Sequence, residues 1–325
     1  MAAPARPDAA AIAAARAALA GRIVATPTLS LPHDALRAAL PEGAGAVLKL
    51  ELFQHAGSFK SRGVLLALDA LGPAARAAGV VAVSAGNHAL AVAWAAQAQG
   101  VAARVFMPAA ADPVRIEGCR ALGAEVTLAE NVGAAFRQMA EVAEAEGRTV
   151  LHPFESPFMV LGAATVGAEL AEAAPDLEVA VVPVGGGGLI AGMALGLRAA
   201  LPGVRIFGVE PEGADAMSRS LAAGAPVALD RVNTIADSLG APMALPMTFA
   251  IVRDLVEGIV RLPDAAFPPA MRLMNRALKL MPEPACAAAL AAATGPLAGV
   301  CRGRRVGLIA CGANLSPQRF CDLVA

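Results

Sequence analysis

From residue 80 onward, short apolar runs alternate with longer stretches of helical composition. Residues 80–84 (VVAVS) are predicted as a buried strand, and the alanine-rich stretch 87–99 as the helix that follows. The same rhythm predicts a strand at 103–107, a helix at 112–121, a strand at 124–128, a helix near 132–146 and a strand at 149–151. It resumes after residue 175 with a strand at 178–184, a helix at about 189–201 and a strand at 204–210. A late strand is predicted at 305–310. Strands this short and this uniformly apolar, joined by helices, belong to parallel sheets covered on both faces. The predicted fold class is therefore α/β, with open parallel sheets in two lobes.

Three stretches resemble something other than this alternation. Residues 179–197 carry no charge and are long enough to suggest a membrane span, but Pro183 and the glycines 185–188 interrupt them. They read as strand, loop and helix, so no membrane partner is expected. The arginine- and alanine-rich N-terminus, with Asp8 inside it, reads as a first helix packed on the domain rather than a targeting segment. The proline-rich stretch 262–269 reads as a connector.

Composition narrows the chemistry. The chain has 325 residues, of which 57% are hydrophobic and only 3% aromatic, with no tyrosine. Acid–base work must fall to Lys, His, Asp, Glu, Cys or Ser. A net charge of −1 with no long basic run argues against nucleic acid as a partner. The cysteines 119, 286, 301, 311 and 321 form no C-x-x-C pair, and their odd number fits a reducing, cytoplasmic setting. His33, His55, His88 and His152 show no metal-ligand spacing.

Ligands of open parallel sheets sit at the carboxyl ends of strands. Three polar or glycine-rich loops are predicted there: residues 84–88, 185–188 and 311–314. The run Gly185, Gly186, Gly187 and Gly188 offers backbone N–H groups and a helix N-terminus to a phosphate, or is simply a tight turn. It matches neither a P-loop nor a clean G-x-G-x-x-G. Lys60 opens a predicted helix, where the dipole and burial favour the free amine needed for Schiff-base chemistry. An ordinary surface lysine is the alternative. In Ser84-Ala85-Gly86-Asn87-His88, Ser84 or Asn87 is placed to cap the next helix. Gly86 permits close approach of a ligand, and the free N–H groups of the helix start suit a carboxylate.

Together these segments resemble a known family. The run 51–63 (ELFQHAGSFKSRG) resembles the cofactor-lysine motif of fold type II pyridoxal-phosphate enzymes, which are similar in fold to tryptophan synthase β. Within them it is similar to the threonine/serine dehydratase and serine racemase branch. Residues 84–88 resemble that branch's asparagine loop and 183–189 its phosphate loop. Val209-Glu210-Pro211, Ala236-Asp237, Glu283-Pro284 and Cys311-Gly312-Ala313-Asn314 recur in the same order. The resemblance spans roughly residues 20–320. It implies a large lobe of residues 1–76 and 156–325, a small lobe of 77–155, and pyridoxal 5'-phosphate in the cleft between them.

It further implies that Lys60 carries the cofactor and later serves as base at Cα. Gly185, Gly186, Gly187 and Gly188 would hold the phosphate, Phe59 would pack on the ring, and Asn87 would bond its phenolic oxygen. Ser84, Ala85, Gly86, Asn87 and His88 would hold the carboxylate of a small amino-acid substrate. Cys311 would face the pyridine nitrogen without protonating it, which favours prompt loss of a β-hydroxyl. The implied activity is dehydration of L-threonine or L-serine to a 2-oxo acid and ammonia, by a homodimer. Ala85 replaces the second serine of serine racemases, which argues against racemisation. Ala216 replaces a carboxylate of the relatives' cation site, so no metal is expected, and Glu210 is the one residual candidate. The competing readings are racemase, β-replacement enzyme, dehydratase of another 3-hydroxy amino acid, non-catalytic cofactor binder, and an oxidoreductase with Glu210 on a ribose.

Overall fold

Backbone pairing sorts ten strands into two sheets: β1 (Thr28–Ser30), β2 (Gly45–Lys49), β3 (Val80–Val83), β4 (Ala103–Pro108), β5 (Glu125–Ala129), β6 (Thr149–Val150), β7 (Val179–Pro183), β8 (Arg205–Pro211), β9 (Gly258–Leu262) and β10 (Arg305–Ile309). The computed structural model describes residues 6–31 and 34–325, so His33 lies outside the described residues. Six strands form a sheet of order β1-β2-β10-β7-β8-β9, and four form a sheet of order β5-β4-β3-β6. Among the described residues, every pairing is parallel except β1 with β2. The chain completes β1 and β2, then the whole smaller sheet, and returns to finish the larger one.

The central strands explain themselves. All five residues of β7 and all four of β3 are buried, so both faces are covered and the sequence reads as an unbroken apolar run. The edge strands do not have this signature. β9 (GIVRL) is only partly buried and carries Arg261, and β1 is a short exposed segment.

The helices Pro157–Ala173 and Gly188–Ala200 pack against each other through small residues. A Cβ at Gly192 would lie 2.2 Å from the Val160 carbonyl oxygen, and one at Gly196 would lie 2.1 Å from that of Ala164. The backbones touch, which fixes the helix that leads out of the tetraglycine loop. A buried ion-pair group holds a second helix, Lys60–Asp69. Arg62, with no solvent exposure, donates to both oxygens of Glu51 and to Glu169 at 2.6–2.8 Å. Lys49 joins Glu169 at 2.7 Å. Buried charges of this kind persist only when paired and fully hydrogen-bonded.

Several expectations are corrected or extended. Residues 262–269 are not a connector throughout: Pro268 and Pro269 lie in the first turn of the helix Phe267–Leu278. Proline is tolerated there because first-turn N–H groups have no intrahelical acceptor. The stretch 179–197 is β7, a loop and most of a helix, and no described helix is long and apolar enough to cross a membrane. The N-terminal helix Ala9–Leu19 buries Ile12, Ala15 and Leu19 against the domain.

The small-residue contact gives a test with a definite sign. In an exposed helix, Gly→Ala stabilises by about 1 kcal/mol. At position 196 the added methyl collides with a backbone oxygen, so Gly196→Ala should destabilise by roughly 1–3 kcal/mol. A denaturant or thermal midpoint at or above the parent's would contradict the packing.

Candidate active site

Three loops leave the carboxyl ends of β3, β7 and β10 and meet around one cleft of about 220 Å³. Phe59, Lys60, residues 84–88, residues 185–188 and Cys311 all line it, so the positions expected from the sequence are brought together. Glu210 does not line it. That side chain is fully buried, and its two oxygens each accept a backbone N–H at 2.8 Å, from Met217 and Ser218, at the start of the helix Ala216–Ala223. Burial pushes its carboxyl up to about 7. Both Glu210 oxygens thus accept at the start of that helix, away from the cleft. No group of three His, Cys, Asp or Glu suited to a metal occurs among the described residues.

Lys60 is the first residue of its helix and points its amine at the Pro153 carbonyl. Burial lowers its ammonium from 10.5 to about 8. A Cys311 thiolate would oppose this, but burial, with Cys286 and Glu283 nearby, holds that thiol well above its usual range and therefore neutral. His88 and His152 are held neutral too. Burial, followed by the charge of Lys60, lowers them to about 3 and about 4. The cleft therefore eases loss of the Lys60 proton relative to an ordinary lysine, and His88 and His152 supply no imidazolium acid near pH 7.

The asparagine loop differs from expectation in one respect. Neither Ser84 nor Asn87 caps the following helix: Asn87 is its first residue, Gly86 is the N-cap, and no side chain caps it. Ser84 Oγ accepts from Gly86 N at 3.0 Å instead. The first-turn N–H groups are thereby left for an anion. Asn87 donates from Nδ2 to Glu283 Oε1 at 2.5 Å and accepts at Oδ1 from Asn314 Nδ2 at 2.7 Å.

The glycine loop is shaped by its neighbours. Gly187 has φ of +87° and the helix begins at Gly188. A Cβ at Gly186 would lie 2.2 Å from the Phe154 ring, while Thr248 Oγ1 donates to the Gly186 carbonyl at 2.8 Å. A glycine loop at a helix start, with no room for side chains, beside a lysine that loses its proton more readily than usual fits a phosphorylated aldehyde. Asp237, of the Ala236-Asp237 segment, lines the cleft as well, as do Arg115, Phe136 and Phe154, for which no sequence motif pointed to a binding role. An arginine or phenylalanine inside an amphipathic helix carries no local signal of a site.

The depressed lysine has a measurable consequence. Below about 8 the free-amine fraction should fall tenfold per pH unit. The rate at which apoprotein captures pyridoxal 5'-phosphate on Lys60 should therefore level off above about pH 8. Borohydride reduction followed by peptide mapping reads the site. A rate still climbing toward pH 10, or label on Lys49 or Lys279, would contradict the assignment.

Comparison with known proteins agrees with this geometry. A family model described as "Pyridoxal-phosphate dependent enzyme" matches residues 10–312. The chain is 44% identical over 314 residues to a phenylserine dehydratase of Ralstonia pickettii, covering 97% of this chain and 95% of that one. It is 35% identical over 274 residues to an L-threonine ammonia-lyase of Thermotoga maritima, covering 84% and 68%. The solved structure of maize serine racemase superposes with a TM-score of 0.92 at 33% identity, covering 98% of this chain and 97% of that chain. On this fold and these similarities, the chain belongs to the fold type II dehydratase and racemase family of pyridoxal-phosphate enzymes, whose cofactor is pyridoxal 5'-phosphate.

Proposed function

We propose that the protein dehydrates a 3-hydroxy amino acid whose C3 bears an apolar, aryl-sized group, releasing a 2-oxo acid and ammonia, with serine and threonine as poorer substrates. The observation that carries this reading is the apolar part of the cleft lining. Val132 and Phe136, on the helix Val132–Glu146, line it while remaining 45% and 39% exposed. Pro108, Phe154, Leu239 and Pro242 continue the apolar surface. Exposed apolar side chains on a cleft wall are stabilised when a ligand covers them. The similarity to a phenylserine dehydratase supports the same substrate class. An acidic side chain is disfavoured, because Arg115, the arginine of the cleft, already pairs with Asp237 and Glu283.

The roles follow from the chemistry of each group. Lys60, whose ammonium is lowered to about 8 and so gives up its proton more readily than an ordinary lysine, would carry the cofactor at its aldehyde carbon and take the proton from Cα of the substrate. The N–H groups at the start of the helix Asn87–Gln99, with Ser84, hold the substrate carboxylate. The glycine loop holds the phosphate, Phe59 packs on the ring, and Asn87 bonds its oxygen. Bound pyridoxal phosphate supplies an electron sink and a phosphate able to protonate the departing hydroxide. Cys311, a neutral thiol, leaves the ring nitrogen unprotonated, which favours elimination over slower paths. Ala85 has no proton to give from the opposite face, which disfavours racemisation. The homodimer, the cytoplasmic setting and the division into lobes of 1–76 with 156–325 and 77–155 belong to the same proposal, on the strength of the resemblance.

A substrate panel tests it. Release of 2-oxo acid should be most efficient with phenylserine, by roughly tenfold in kcat/KM over serine, the scale of an apolar side-chain contact. Phe136→Ala should compress the phenylserine-to-serine ratio by about tenfold. L-serine should yield pyruvate with little D-serine by chiral analysis. Preference for 3-hydroxyaspartate, or abundant D-serine, would overturn the reading.

A further inference from the structure

Four residues close a ring of hydrogen bonds between the two sheets. Arg115 Nη2 donates to Glu283 Oε2 at 3.1 Å, and Asn87 Nδ2 donates to Glu283 Oε1 at 2.5 Å. Asn314 Nδ2 donates to Asn87 Oδ1 at 2.7 Å, and Arg115 Nε donates to the Asn314 carbonyl at 2.6 Å. Asn87 and Arg115 belong to helices that follow β3 and β4 of the smaller sheet. Glu283 precedes the helix Pro284–Thr294, which packs on β7, and Asn314 follows β10, so both belong to the larger sheet. Arg115 and Glu283 are only 2% and 1% exposed. The rest of the guanidinium holds Asp237 and the Ala85 carbonyl of the asparagine loop.

We propose that Arg115 is a positioning residue that sets the orientation of the Asn87 amide toward the cofactor, and does so only when the two sheets are docked. The argument is one of donor and acceptor count. An amide turned end for end would set Oδ1 against a carboxylate and Nδ2 against the Asn314 amide donor, losing both bonds. The ring therefore admits one orientation, in which Asn87 Nδ2 makes beyond the ring only a long 3.5 Å contact to Ser238 Oγ that a ligand in the cleft would replace. Arg115 grips the other faces of both Asn87 partners, so it acts on Asn87 through them. Each bond of the ring joins one sheet's residue to the other's, so separation of the sheets breaks them all and frees the amide to rotate. The inference rests on the reading of Asn87 as a cofactor contact.

A double-mutant cycle on cofactor affinity tests this without any substrate. Pyridoxal 5'-phosphate is titrated into apoprotein of the parent, Arg115→Met, Asn87→Ala and the double variant. Each single change should weaken binding about tenfold, the scale of one charge-assisted hydrogen bond. The double variant should bind within about threefold of Asn87→Ala alone, because the two residues act in series. Factors that multiply to about a hundredfold, or parent affinity in Arg115→Met, would overturn the proposal. Should Arg115→Met fail to fold, with two carboxylates left uncompensated, Arg115→Lys replaces it under the same two outcomes. Lysine keeps the charge but lacks the Nε donor to Asn314. The visible absorption maximum of the bound cofactor should shift in the same direction in Arg115→Lys as in Asn87→Ala, and an unshifted band in the former would also count against it. Unchanged affinity in Asn87→Ala would remove the reading of Asn87 and the proposal with it, while leaving the dehydratase reading intact.

Discussion

The structure is organised around making one lysine ammonium easier to deprotonate. An ammonium is disfavoured where water is scarce, and Lys60 is enclosed between the ends of two sheets. The condition extends to its neighbours. A thiolate at Cys311 would have pulled the amine back toward its charged form, but the thiol is buried and neutral. Two imidazoles are present, and both are neutral for the same reason of burial. The paired charges on the same helix are turned away: Arg62 faces Glu51 and Glu169 rather than the cleft. That arrangement anchors the lysine's helix with strong polar bonds while sparing the amine a carboxylate partner, which would have raised its pKa.

The fold supplies this enclosure by topology. Parallel strands direct their carboxyl ends the same way, and each end opens into a loop and a helix N-terminus. β7 delivers the glycine loop, β3 the asparagine loop and β10 the cysteine loop. Neither sheet alone builds a cleft of this kind, because the lysine and glycine loop come with one sheet and the asparagine loop with the other. Docking between them is therefore part of the chemistry, and the buried ring through Arg115 lies at that contact.

Much of this was legible in the sequence, for identifiable reasons. β3 and β7 are buried on both faces, so their apolar runs were unmistakable. The glycine run and Lys60 sit next to such strands or at a helix start, where local chemistry restricts the choice. β1 and β9, at the sheet edges, have no such pattern, and the helix Pro157–Ala173 is so rich in small residues that its buried face does not stand out. Ser84 was legible as a polar loop residue, but its oxygen turned to Gly86 N rather than to the helix, a choice between two nearby donors. Arg115 was illegible because its partners are 122, 168 and 199 residues away. Only the folded chain brings them together.

The distribution of aromatic residues bears on what the cleft accepts. The chain has ten phenylalanines and no tyrosine, and its cores are built mainly from alanine, valine and leucine. Phe59, Phe136 and Phe154 nonetheless stand around one cleft of about 220 Å³. Small side chains suffice to fill the interior of this α/β fold, as the alanine-rich helices show. Phe106, Phe207, Phe249, Phe267 and Phe320 are core residues, and Phe59 is buried with them, whereas Phe136 is exposed. Phe59 and Phe154 adjoin the lysine and the glycine loop, where a flat cofactor would contact them. Phe136 and Val132, on the helix Val132–Glu146, line the cleft while exposed, and none of the proposed cofactor contacts accounts for them. A ring on the substrate's C3 is the group whose burial would cover that surface, and it gains most from an apolar wall lacking an unpaired cation.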